Sequence, residues 1–206
     1  MELSHKAFEY LEQGGWVMIP LGVCSLLLWM LIIDRVQAFR GMRARDISIT
    51  DAIAAVRSGK IDVGSNGLRA RLVNGFLAKR TGFPDIDRHV IRQVSDRMKR
   101  DLEKFLAVIA VLAAVAPVLG LLGTVLGMIQ TFDVISVFGT GNAKALAGGI
   151  SVALVTTQSG LLIAIPGLIL SGMLRRQSLR LRTRLEESTT VLERIIRRSA
   201  VLEGGR

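Results

Sequence analysis

Charged and uncharged positions alternate along this chain in long blocks, and three blocks are uncharged: residues 13–33, 105–132 and 145–174. Each reaches or exceeds the ~20 apolar residues that cross a bilayer core at ~1.5 Å per residue. The pattern predicts an all-α, multi-pass membrane protein with three transmembrane helices, the second and third long and extending into the cytoplasm. In chain order it reads as an external amphipathic segment (1–15), transmembrane helix 1 (16–34), a cytoplasmic helical region (35–104), transmembrane helix 2 (105–135), an external loop (136–144), transmembrane helix 3 (145–174) and a cytoplasmic C-terminal helix (175–206).

The last two spans form a hairpin whose arms share a pattern. Gly120, Thr124, Gly127 and Thr131 fall at i, i+4, i+7 and i+11, and so do Ala153, Thr157, Gly160 and Ala164. Each set shares one stripe of a 3.6-period helix. Lipid does not reward a face of small residues dotted with hydroxyls, whereas close helix packing or a narrow lumen does. For either threonine alone, a bond to its own i−4 carbonyl is the plainer alternative. Pro117 and Pro166 are the candidate kink positions within the two arms.

The polar blocks read as helices with turn signals between them. Residues 1–12 set Leu3, Ala7, Tyr10 and Leu11 on one face, as in a short surface helix or an extension of the first span. They lack the basic start and cleavage site of a signal peptide. Trp16 and Trp29 stand near the ends of the first span, where amphipathic rings favour the interface. Thr50 is expected to cap a helix through about Ser58, ended by Gly59, and Gly64-Ser65-Asn66-Gly67 reads as a turn. A helix over 68–80 places Leu68, Leu72 and Phe76 together. Pro84 suits a first helical turn, with Asp85 and Asp87 complementing the dipole. No breaker then appears before Pro117, so one helix is expected from about 85 to about 135, roughly 75 Å long. Beyond Arg175-Arg176, Leu174, Leu181, Leu185, Leu192 and Ile196 form an apolar stripe that needs cover, and another copy of the chain is the expected cover.

Charge orients this picture. The net charge is +10 in 206 residues, half of them hydrophobic. Segment 35–104 carries 16 Lys+Arg against 8 Asp+Glu and segment 175–206 carries 9 against 4, whereas 1–15 carries one Lys against three Glu. A basic excess on one side of the spans puts the N-terminus outside and the C-terminus in the cytoplasm, with anionic phospholipid headgroups as a secondary contact. Nucleic acid is not the expected partner, since the basic blocks lack aromatic platforms and any recognition motif. Cys24 reads as a small buried hydrophobe. His5 and His89 fall in segments expected on opposite sides of the membrane, so no metal site follows from them. The loop Gly139-Thr140-Gly141-Asn142-Ala143-Lys144 lacks the ending and the preceding strand of a phosphate loop. No cofactor motif or enzymatic constellation is present. Residues 105–132 and 145–174 hold no acid or base, so if the protein conducts protons, another chain must supply the titrating group.

The run from Ala116-Pro117-Val118-Leu119-Gly120 through Gly127-Met128, and the run from Gly149-Ile150-Ser151 through Thr157 to Ala164-Ile165-Pro166, resemble the paired signature of the MotA/TolQ/ExbB proton-channel family. The layout of spans, insert and C-terminal helix is similar to ExbB and TolQ over nearly the whole chain. The resemblance implies a homopentamer in a bacterial inner membrane, surrounding a single-span partner dimer of ExbD or TolR type that supplies an intramembrane Asp. It implies coupling of the proton motive force to a TonB-like envelope protein, with Tol-type envelope maintenance or a gliding or secretion motor as alternatives. A non-conducting scaffold is the reading from a different class. By motif position, Thr124 and Thr157 are the hydroxyls near the partner's Asp, and Gly120, Gly127, Ala153 and Gly160 are expected to line the channel with them. Many ExbB and TolQ members have Glu where this chain has Val152, so the resemblance brings no intrinsic carboxylate here. Gln158 is a polar substitute or a helix–helix hydrogen bonder.

Overall fold

The computed structural model describes residues 14–44, 46–59 and 67–203, with side chains to residue 198. The surface helix expected in 1–12, and Gly64-Ser65-Asn66 of the expected turn, lie outside the described residues. Secondary structure among the described residues is helical: α1 (Met18–Ala44), α2 (Ile49–Ser58), α3 (Leu68–Leu77), α4 (Pro84–Glu103), α5 (Leu106–Phe138), a 3-10 turn (Gly139–Gly141) and α6 (Ala143–Glu203). Three helical stretches, Met18–Ala44, Pro84–Gly141 and Ala143–Arg198, are long and apolar enough to cross a membrane. Two compact units emerge, one of residues 1–33 and 105–173, the other of residues 34–104 and 174–206.

In the first unit α1 buries Leu21, Cys24, Leu28 and Ile32, a stripe at i, i+3, i+7 and i+11. Its other faces, with Ile19, Leu26 and Met30, are open, as a helix in lipid or against a further chain requires. Cys24, Ala116 and Ala164 form a small core at the junction of α1, α5 and α6, with Leu112, Leu119 and Ile163 packed on it. Cys24 is thus a space-filler at a three-helix contact, and its thiol points at the Leu112 carbonyl at 3.5 Å. Trp16 and Trp29 both stand exposed.

The second unit corrects two details and one larger expectation. The cap of α2 is Ser48, whose hydroxyl accepts from the Asp51 N–H at 3.1 Å, with Thr50 already inside the helix. Gly59 ends α2 in the left-handed region at φ 68°, which glycine adopts without penalty. Pro84 opens α4 as expected. Asp87 does more than complement the dipole: it is buried and accepts from the Thr81 N–H and hydroxyl at 2.7 and 2.9 Å.

The larger correction concerns the expected 75 Å helix. It is interrupted at Lys104 and Phe105, Lys104 being extended (φ −56°, ψ 133°) and Phe105 left-handed at φ 64°. A left-handed non-glycine costs on the order of 1 kcal/mol. The last carbonyls of α4 also lose their i+4 amide partners. Tertiary donors replace two of them: Arg35 donates to the Asp101 carbonyl and Ser178 to the Leu102 carbonyl, each at 3.0 Å. The break is therefore capped from α1 and α6, elements distant in sequence.

The apolar stripe of α6 is covered from within the chain. Leu174, Leu181, Leu185, Leu192 and Ile196 are all buried, so a second copy is not what hides them. Thr189 donates to Ser95 of α4 at 2.9 Å, Arg69 of α3 donates to Ser188 at 3.2 Å, and Arg92 of α4 grips Glu193 through two bonds of 2.7 and 2.9 Å. A buried leucine contributes roughly 1.5–3 kcal/mol, so this stripe outweighs the exposed ion pairs around it. Those pairs still set protonation: the hydrogen bond from Lys99, then that from Arg182, hold the Glu186 carboxyl below its ordinary range. The Arg92 guanidinium is raised by its hydrogen bond and charge contact with Glu193.

Candidate functional site

The hairpin arms α5 and α6 meet through residues with almost no side chain. A Cβ built on Gly127 would lie 2.6 Å from the Gly149 carbonyl oxygen and 2.8 Å from the Ala153 nitrogen, and one on Gly123 would run into the Thr156 side chain. One on Gly120 would lie 3.0 Å from the Thr156 carbonyl oxygen and 3.2 Å from Thr157 Cα. Gly160 comes as close to Ala116, and Gly167 to Ala113 and to Leu28 of α1. The partners step in opposite directions along the two helices, as in an antiparallel pair whose backbones touch. In lipid, where apolar surface gains little by burial, such close van der Waals packing is the main attraction between helices.

Gly120, Gly127, Thr131, Ala153, Gly160 and Ala164 are accordingly buried, and they face the other helices of this same chain. Three residues at the centre of the contact, Gly123, Gly149 and Thr156, were not singled out from the sequence. Their signal was present: Gly120, Gly123 and Gly127 stand at i, i+3 and i+7, a purer small-residue stripe than one drawn through Thr124.

Thr124 and Thr157 sit at the margin of this contact, each partly exposed. The Thr124 hydroxyl donates to the Leu121 carbonyl at 2.6 Å. The Thr157 hydroxyl donates to the Ala153 carbonyl at 3.0 Å and reaches the Gly120 carbonyl, across the helix pair, at 3.4 Å. Thr156 and Thr131 also bond carbonyls of their own helices, and both are buried. A hydroxyl that donates its proton to a helix carbonyl retains acceptor lone pairs. At a partly exposed position these can receive a donor from another chain, or the O–H can rotate away from the carbonyl and donate outward.

No group in the apolar stretches of these helices carries a charge. Residues 106–132 and 145–174 contain no Asp, Glu, Lys, Arg or His, and the described residues hold no cluster of potential metal ligands. Gln158 is exposed, with no hydrogen bond to another described residue, so it presents its amide outward. Val152 is half-buried, with a methyl 3.8 Å from where a Cβ on Gly15 would stand. The helices run without interruption through Pro117 and Pro166.

The family model described as MotA/TolQ/ExbB proton channel family matches residues 63–187, which include α3 to α5 and most of α6. An ExbB-like biopolymer transport protein of Synechocystis sp. (ExbB-like 3) is 31% identical over 90% of this chain and 92% of its own length. The biopolymer transport protein exbB1 of Vibrio cholerae is 29% identical over 86% of this chain and 82% of its own. The ExbB of Aquifex aeolicus is 43% identical over a shorter match, 39% of this chain and 55% of that protein.

Proposed function

This chain belongs to the MotA/TolQ/ExbB proton channel family, and from that premise we propose that it is an ExbB-like stator subunit that powers TonB-dependent transport. In this reading it sits in a bacterial inner membrane, N-terminus outside, as a homopentamer around the transmembrane helices of an ExbD-like dimer. The dimer's intramembrane Asp carries the proton, and this chain supplies the wall along which that carboxyl moves. The observation that carries the reading is that the stretches 106–132 and 145–174 hold no Asp, Glu, Lys, Arg or His, with hydroxyls left at the margin of the helix contact at Thr124 and Thr157.

The wall has to hold the partner's carboxyl in both protonation states. A protonated carboxyl donates to a hydroxyl oxygen, which fits Thr124 and Thr157 while their own protons rest on the Leu121 and Ala153 carbonyls. An ionised carboxylate needs a donor, and a hydroxyl provides it by turning about one bond. The threonines therefore act as two-way contacts, while Gly120, Gly127, Ala153 and Gly160 set the spacing that brings them to the lumen. Each elementary charge falling through 100 mV releases ~2.3 kcal/mol, which is the drive for moving the partner within the ring.

The test is proton-coupled outer-membrane uptake in cells relying on this protein and its partner. Thr157→Ala and Thr124→Ala should each cut uptake severalfold or more at unchanged protein abundance, and Thr→Ser at either position should restore most of it. Full uptake in both alanine variants would favour a non-conducting scaffold.

A further inference from the structure

Outside the hairpin, the second unit carries a groove of about 550 Å³ between α3 and α4. We propose that it is a binding site for the phosphate of an anionic membrane lipid. Two stripes of positive charge face it. Arg71 and Lys79 stand eight residues apart on and just beyond α3, and Arg97 and Arg100 stand on the last turns of α4. Its one acid is Asp101, leaving an excess of three positive charges by count of the lining residues (four basic, one acidic).

These four cations differ from several other basic residues of the unit. Arg35, Arg69, Arg80, Arg92, Lys99 and Arg182 each pair with a carboxylate. Among the described residues, neither Arg71 nor Lys79 nor Arg97 nor Arg100 does so. Like charges held along two packed helices repel unless an anion lies between them, and screening over ~8 Å at physiological salt leaves near neighbours coupled. Guanidinium groups present paired N–H donors that match phosphate oxygens.

The floor of the groove indicates which phosphate. Gly75 of α3 lets α4 approach so closely that an added Cβ would lie 2.9 Å from a Val94 methyl, and Val94 and Met98 line the bottom. An apolar floor under a cationic rim suits an amphiphile better than a free ion. Arg100 also precedes the start of α5 at Leu106 by so few residues that the chain between them spans at most about 20 Å when fully drawn out. Arg100 is therefore joined by a short connection to an apolar span, and the ends of such spans are where lipid headgroups are concentrated. The groove shares no lining residue with the hairpin contact.

The experiment uses the full chain in neutral detergent, titrated with dioleoyl-phosphatidylglycerol and read by native mass spectrometry. The double variant Arg71→Gln/Arg97→Gln should weaken retention of this lipid roughly tenfold or more, at about a kcal/mol per lost charge. Asp101→Asn should strengthen it severalfold. The double variant Arg57→Gln/Arg88→Gln, outside the groove, should match the parent, as should dioleoyl-phosphatidylcholine binding in every variant. The proposal is overturned if the groove variant retains phosphatidylglycerol like the parent, or if the control pair loses it equally. Displacement of the lipid by millimolar inorganic phosphate would reassign the groove to a soluble phosphate, and displacement by a glutamate-rich peptide to an acidic protein segment. Either result overturns the lipid assignment.

Discussion

The two helix contacts that hold this chain together use side chains of opposite size. Between α5 and α6 the contact is built from Gly120, Gly123, Gly127, Gly149 and Gly160, and the helices touch backbone to backbone. In the polar unit, α6 is instead packed through Leu174, Leu181, Leu185 and Leu192, fringed by the pairs Arg92–Glu193 and Lys99–Glu186. The same helix α6 enters both contacts, so the difference does not come from the element. It follows from the medium each stretch is matched to. Where water is the alternative, burying a large aliphatic side chain stabilises by roughly 25 cal/mol per Å². In lipid that gain vanishes and what remains is close approach, which large side chains prevent.

This contrast is tested most sharply by changing volume in opposite directions. Leu185→Ala in the polar unit empties a fully buried site and should cost about 2–5 kcal/mol, read as a drop in the thermal midpoint of the purified protein. An unchanged midpoint would show that the stripe is not a packed core. Gly123→Ala adds a single methyl against Thr156 and should cost about 1–3 kcal/mol by overpacking. Here Thr156→Gly should rescue it in the double variant; Gly123→Ala as stable as the parent would mean the arms do not meet as described. The smallest effect concerns charge. Because Lys99 and Arg182 hold Glu186 below its ordinary range, its contribution is complete above the usual glutamate pKa of about 4.3. That contribution is lost as pH falls through the lowered value. The thermal midpoint of Glu186→Gln should lie slightly below the parent at neutral pH and converge with it in acid. A gap independent of pH would remove the ion pair from the account.

Much of the molecule was legible from residue order, because period and polarity are local properties. The three spans, the cap of α2 to within two residues, the start of α4 at Pro84 and the buried face of α3 all follow from local pattern. Two expectations failed for one reason. The stripe of α6 needs no second copy and the helix from 85 does not pass residue 104, because the groups that cover the one and cap the other lie far away in sequence. Thr189 meets Ser95, and the carbonyls of Asp101 and Leu102 are taken by Arg35 and Ser178.

The order of residues by itself determined that three stretches are apolar enough to span a membrane, that two of them carry matching small-residue faces, and that neither holds a titratable group. Each is a property of a stretch read in isolation. Only the tertiary structure decided that those faces close on each other, leaving Thr124 and Thr157 at the margin, and that α4 stops at Glu103. A glycine stripe is equally suited to a neighbouring helix or to a lumen, and a helix end is settled by whichever donors reach its last carbonyls. Both depend on which groups the folded chain brings near.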